Sequence, residues 1–246
     1  MKNKTSLITK STALIIISAF ILLLTAISCQ HNSKITSIKK NIKTETKNIV
    51  VNITISKFKG NNRKGNKNLS EFNDLRQKEL DQYADTLSSQ ADKDLKELET
   101  NNKYGRPSWK YGLYVTDTVM MIPEYFISVL QTESTFTGGA HPNNLIKDYN
   151  YDIKNNKLLK KGDIINLKDS VKINKILRNK FKAQNKYDIE LFEQPSVKLA
   201  DAIAITQDSI IFVYNQYTLA CYAAGPIEIK ISQNLIGESF LIKIPE

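Results

Sequence analysis

Ile49-Val50-Val51-Asn52-Ile53-Thr54-Ile55-Ser56 leads, through a loop rich in Asn, Gly and Lys at 60–68, into Ser70-Glu71-Phe72-Asn73-Asp74-Leu75 and the long polar run that reaches Glu99. In the first stretch Ile49, Val51, Ile53 and Ile55 recur at every second position, the period of a half-buried strand over about 48–58. In the second, Phe72, Leu75, Tyr83, Leu87, Ala91, Leu95 and Leu98 fall close to one stripe at helical spacing, with charged residues opposite. Ser70 is an N-cap residue, and Glu71 and Asp74 lie near the positive end of the helix. Asn101, Asn102 and Gly105 end the run, and Pro107 prevents its continuation.

Working outward toward the C-terminus, aromatic and β-branched residues dominate. Trp109, Tyr111, Leu113 and Val115 alternate with Lys110, Gly112, Tyr114 and Thr116, and a further strand is expected from about Tyr125 to Phe136. Ile146 to Ile153 reads as a strand with a turn at 154–157. A second helix is expected from near Asp169 to about Gln184, with Val171, Ile173, Ile176, Leu177 and Phe181 on its apolar side. Ala202–Thr206 and Ser209–Tyr214 read as a hairpin about Gln207-Asp208. Pro226–Ile231 reads as a strand, a short helical turn follows, and Phe240–Ile244 closes the chain. There is no internal repeat and no regular strand–helix alternation. The expected class is α+β: a largely antiparallel mixed sheet, one long N-terminal helix, and a second helix packed on it.

Toward the N-terminus the character changes. Lys2, Lys4 and Lys10 precede an apolar run from Ala13 to Ile27, shorter than a spanning helix, which is the layout of a secretory signal. The run ends in Ala26-Ile27-Ser28-Cys29, which resembles a bacterial lipoprotein box. That resemblance implies a signal peptide over 1–28 and lipidation of Cys29, with a plain signal peptide or an uncleaved anchor as the alternative. Residues 29–47 then read as a basic tether, either solvated or lying against lipid headgroups.

Charge placement supports this division. Residues 1–28 carry three Lys and no acid, 29–68 carry ten Lys/Arg against Glu45 alone, and 69–246 carry 22 basic and 24 acidic residues within a formal total of +10. The body is near neutral, so no basic nucleic-acid-binding face is expected. With Cys29 consumed by lipid, Cys221 is alone, so no disulfide is available, and Leu219-Ala220-Cys221-Tyr222 reads as a buried apolar stretch.

Three segments carry a family resemblance. Phe136-Thr137-Gly138-Gly139-Ala140-His141-Pro142-Asn143 is similar to the TGGAHPN loop in the extracytoplasmic domain of RsiV-type anti-sigma factors, a domain pair that also precedes the catalytic domain of PdaC-type peptidoglycan deacetylases. Asn150-Tyr151-Asp152-Ile153 resembles the strand that follows it, and Tyr217 to Ile229, with Gly225-Pro226, resembles the family's terminal run. Gln216 and Ser232 depart from it, each standing where Pro is usual. The resemblance implies subdomains at 48–135 (PdaC-type) and 136–246 (RsiV-like). Lys2–Lys10 is too short for a sigma-binding segment, and no deacetylase domain follows before Glu246. What it implies is the sensor-like domain, which in RsiV-type proteins binds lysozyme.

The candidate ligand-binding residues are Thr137, Gly138, Gly139, His141, Tyr217 and Tyr222. The glycines permit close backbone approach, and consecutive N–H groups in such a turn form an anion-binding concavity. Thr137 and His141 add hydrogen-bonding groups, and the tyrosines add faces for a sugar, a peptide or a protein. The bland alternative is a structural corner pinned by His141. Catalysis is less favoured. His141 is the sole histidine of the body, too few for a His/Cys zinc site, and Ser134, His141 and Asp148 form a triad only on paper, without a nucleophile elbow. Glu124, Glu133 and Asp152 announce no glycosidase pair. No cofactor or metal is expected. The expectation is an envelope protein, lipid-anchored and facing the periplasm, that binds a lysozyme-type muramidase or cell-wall glycan. A wall-directed hydrolase and a purely structural lipoprotein are the alternatives.

Overall fold

The computed structural model describes residues 35–101, 107–185 and 188–243. The leader over 1–28, Cys29 and the residues up to 34 lie outside the described residues. Six strands form one sheet in the order β1 (Thr36–Glu45), β2 (Ile49–Lys59), β3 (Tyr111–Met121), β4 (Phe126–Phe136), β5 (Asn143–Asp152) and β6 (Lys157–Leu158). Every neighbouring pair is antiparallel except β2 and β3. A parallel pair needs a crossover, and the long helix α1 (Arg63–Asn101) supplies it. A second sheet of three antiparallel strands is built from β7 (Ala202–Ile205), β8 (Ser209–Tyr214) and β9 (Ile227–Ser232).

The strands alternate as their sequences require. Ile49, Val51, Ile53 and Ile55 of β2 and Tyr111, Leu113 and Val115 of β3 meet Leu80, Leu87, Ala91 and Leu95 of α1. Burying each large aliphatic chain contributes about 1.5–3 kcal/mol. Opposite this core, Leu130 of β4 packs against Ala202, Ala204, Ile211 and Val213 of the second sheet. The outer side of that sheet, with Ile203, Ile205, Phe212 and Ile229, packs on Ile173, Leu177 and Phe181 of helix α2 (Ser170–Gln184). The layers run α1, six-stranded sheet, three-stranded sheet, α2.

Several expectations are corrected. Residues 36–45 are not part of a tether: they form β1, exposed along nearly its whole length and paired over ten residues with β2. The helix begins at Arg63 rather than Ser70, because Asn62 Oδ1 accepts a hydrogen bond from Gly65 N at 2.6 Å and Leu69 is buried. The second helix does not pack on the first, since its buried residues serve the three-stranded sheet. Val171 is 82% exposed instead of lying on the core side. Cys221 is exposed at the start of a 3-10 turn over Tyr222–Ala224, although Leu219 and Ala220 before it are buried. Phe240 makes one isolated bridge to Ile165 in place of a closing strand, and Ile244 lies outside the described residues. The expected boundary at 135/136 falls inside β4, and β5 continues the first sheet.

Beneath α1 the sheet carries a polar ladder. Arg76 is fully buried between the rings of Phe72 and Tyr149. Its guanidinium donates to Asp117 Oδ2 at 2.6 Å, Gln131 Oε1 at 3.0 Å and Ser56 O at 3.1 Å. Gln131 donates onward to Glu133, which pairs with Lys147, and Lys39 of β1 reaches Asp117 from the sheet edge. Burial pushes the Asp117 carboxyl up, but hydrogen bonds from Lys39 and Arg76 outweigh it and hold it below the usual carboxylate range.

Candidate functional site

The 137–143 loop joins β4 to β5 at the end of the sheet where Ile49 pairs with Tyr111. An 11-residue strand spans about 36 Å, whereas the 39 residues of α1 span about 58 Å. The helix therefore overshoots the sheet, and residues 96–101 are exposed. This overshoot, the loop and the start of β3 enclose an open groove of ≈ 420 Å³ lined by Asp94, Glu97, Leu98, Trp109, Tyr111 and the backbone of 137–139.

The two glycines do different work. Both have positive φ, +99° at Gly138 and +96° at Gly139. A Cβ on Gly138 would stand 2.7 Å from the Trp109 indole, so this residue is the seat of the ring. A Cβ on Gly139 would meet nothing within 4 Å. Gly138 is a packed corner, and Gly139 is bare backbone at the groove wall. Beside Gly138, Trp109 and Tyr111 lie nearly parallel with centroids 6.0 Å apart. The Tyr111 hydroxyl donates to Asp94 Oδ2 at 2.7 Å. Burial and this carboxylate push the Tyr111 hydroxyl up to about 12, and the same bond, with one from Gln90, lowers Asp94.

The remaining candidates sit on the other side of the loop. The His141 ring stacks on Tyr222 with centroids 3.7 Å apart, and Tyr217 lies 5.9 Å from Tyr222. The Tyr222 hydroxyl donates to Pro142 O at 2.9 Å. Tyr217 is 58% exposed with φ +67°, an uncommon conformation for a bulky residue. Asp201 builds this turn, accepting from Asn215 N and Thr218 Oγ1, each at 2.6 Å. Thr137 and Gly139 thus face one groove with Gly138 seating its indole, while His141, Tyr217 and Tyr222 form an aromatic row beside it.

Ser134, His141 and Asp148 do not come together. Ser134 lies opposite Asn144 and Asp148 opposite Leu130, four positions apart along the hairpin, about 13 Å. His141 Nδ1 faces Pro142 O at 3.3 Å. Asp148 lies between the two sheets, where burial pushes its carboxyl up. Asn150 is fully buried and joins the sheets, bonding Ser128 Oγ at 2.7 Å and Ile203 O at 2.6 Å. Among the described residues no three His, Cys, Asp or Glu side chains gather as a metal site. Trp109, Tyr111, Asp94 and Glu97 are groove residues that sequence reading missed. The first two read as strand alternation and the others as a solvated helix face.

Residues 27–144 match the family model described as deacetylase PdaC, and residues 156–234 match the model of a protein of unknown function, DUF3298. No curated protein matches the chain. A solved DUF3298-family protein from Bacteroides fragilis is similar in fold, with a TM-score of 0.61 at 20% identity over 85% of this chain and 93% of that one. One from Pseudomonas aeruginosa PAO1 gives 0.53 at 16% identity over 82% and 92%. The chain accordingly carries a PdaC-like region over 27–144 followed by a DUF3298 region over 156–234.

Proposed function

We propose that this chain is a lipid-anchored envelope protein, held by Cys29, whose body binds cell-wall glycan in the groove beside Gly139. The observation that carries this reading is bare Gly139 backbone lining the same groove as the partly exposed Trp109 and the carboxylates of Asp94 and Glu97. Aromatic faces take the apolar face of a sugar ring, carboxylates accept its hydroxyls, and backbone beside a side-chain-free wall lets the ring approach closely. The reading also fits a PdaC-like domain of extracytoplasmic type. Trp109 is the single tryptophan of the chain, so peptidoglycan fragments titrated into residues 34–246 should change its fluorescence. Glu97→Ala, on an exposed face, should weaken binding with an unchanged melt. No fluorescence change and no heat at high micromolar fragment would remove the glycan reading. Anchoring is tested separately: Cys29→Ser should release the protein from the membrane fraction, and the mature chain should carry the mass of a diacylglyceryl group.

A second reading is docking of a protein, with a lysozyme-type muramidase as the analogue. The strained, exposed Tyr217 beside the Tyr222–His141 stack favours it, since such rigid aromatics anchor protein interfaces. Tyr217→Ala should then abolish retention on immobilised lysozyme while leaving glycan titrations unchanged.

A further inference from the structure

The two ends of the sheet differ in character. The candidate loop lies at the end marked by Phe136 and Asn143. The chain enters the body at the other end, where Thr36 pairs with Lys59 and Ile35 packs on the cluster that holds Phe58 and Ile153. The second sheet keeps the same direction: Asn215 bonds Ile146 toward the loop end, and Ile205 N donates to Ser128 Oγ toward the entry end. Helix α2 runs along it, with Lys172 Nζ bonded to Ile236 O near the entry end and Gln184 Nε2 bonded to Glu228 O toward the loop end. The first turn of α2 therefore shares the end of the body at which the chain enters.

That end is basic and greasy. Helix α2 carries Lys172, Lys175, Arg178, Lys180 and Lys182 and no acidic residue, whereas the rest of 69–246 carries 17 basic and 24 acidic residues. Lys168, Lys172, Lys175 and Lys182 follow one another at helical spacing along a single exposed face. Among the described residues none of Lys168, Lys175, Arg178 and Lys182 is paired with a carboxylate. The nearby acid, Asp169, is turned to Asn166 and Ser239. Beside these cations Leu167 is 48% exposed, Val171 82% and Leu235 55%.

We propose that this face, Lys168 to Arg178 with Leu167 and Val171, rests on an anionic phospholipid bilayer and turns the 137–143 loop outward. Cations meet the phosphates while the aliphatic groups enter the headgroup boundary. A polyanion in solution would use the charges and leave Val171 without a role. Chain length points the same way. Because β1 begins at Thr36, only the seven residues from Cys29 to Ile35 separate the proposed lipid from the body, a reach of at most about 25 Å. The argument from reach rests on the anchor proposed above; the argument from charge and exposed aliphatics does not.

The test uses residues 34–246, a compact unit by themselves, so that lipidation plays no part. The body should sediment with vesicles of phosphatidylcholine mixed with phosphatidylglycerol and not with phosphatidylcholine alone. Lys175→Glu/Arg178→Glu should weaken this about tenfold or more, and Val171→Asp should weaken it too, all with unchanged melts because these side chains are exposed. The proposal is overturned by absence of binding, by loss of binding in Lys40→Gln/Lys43→Gln instead, or by equal affinity for soluble polyphosphate with Val171→Asp silent. The last outcome assigns the face to an anionic polymer.

Discussion

The imidazole of His141 lies against the phenol of Tyr222, the ring planes 19° from parallel and the centroids 3.7 Å apart. The same tyrosine bonds Pro142 O. A turn of the second sheet's unit thereby holds the loop that closes the first sheet. The loop is both a corner and a surface: its His141–Pro142 half is clamped, and its Gly139 half is bare.

Removing the clamp should loosen the loop without unfolding the body. Tyr222→Phe keeps the stack and loses one hydrogen bond, an expected cost of about 0.5–1.5 kcal/mol in urea unfolding. Tyr222→Ala loses both, and amide exchange at Ala140, His141 and Asn143 should rise more than in the Phe variant. Equal protection in the two variants would mean that the stack contributes nothing.

The glycines should separate cleanly. Gly138→Ala drives a methyl into the Trp109 indole and strains φ, whereas Gly139→Ala meets only the backbone strain. Thermal melts should rank Gly138→Ala well below Gly139→Ala, and Trp109 fluorescence should shift in the first alone. Identical melts would show that the indole yields freely.

Arg76 and Asp117 should behave as a buried pair. Arg76→Ala removes the buried partner of Asp117 and leaves Lys39 and Ser56 as its remaining donors, at a cost of up to about 3–5 kcal/mol. Because folding lowers the Asp117 pKa, its contribution is present above the unfolded value near 4 and is lost as pH falls through the lower, folded value. Asp117→Asn should therefore flatten the acid limb of stability against pH below about pH 4. An unchanged acid limb would assign that limb to other carboxylates.

Cys221 should be reactive in the folded state. Residues 34–246 contain this one thiol and it is exposed, so a disulfide reagent should titrate one equivalent without denaturant. A thiol that reacts only after unfolding would place Cys221 inside.

Arg76 shows where sequence reading stopped short. It lies four residues after Phe72 and four before Leu80, squarely on the apolar stripe, yet Leu75 was placed there and is 41% exposed. A helical wheel knows spacing, not partners. An arginine on this helix occupies a core position because Ser56, Asp117 and Gln131 arrive from three strands. Asn150 is similar: it stood out as part of a motif, but its task of joining two sheets needs Ile203 in place.

Period-two and period-3.6 patterns are local, and they determined β2, α1, the β7–β8 hairpin and the α+β class, just as local charge counts set the neutral body apart from its basic N-terminal stretch. Tertiary structure alone decided that residues 36–45 add to a sheet edge, that α1 overshoots and walls a groove, and that Gly138 and Gly139 have different neighbours. The reason is physical. Strand addition at an edge is made by backbone hydrogen bonds common to every residue, and a groove exists only between surfaces that the chain brings together over long separations.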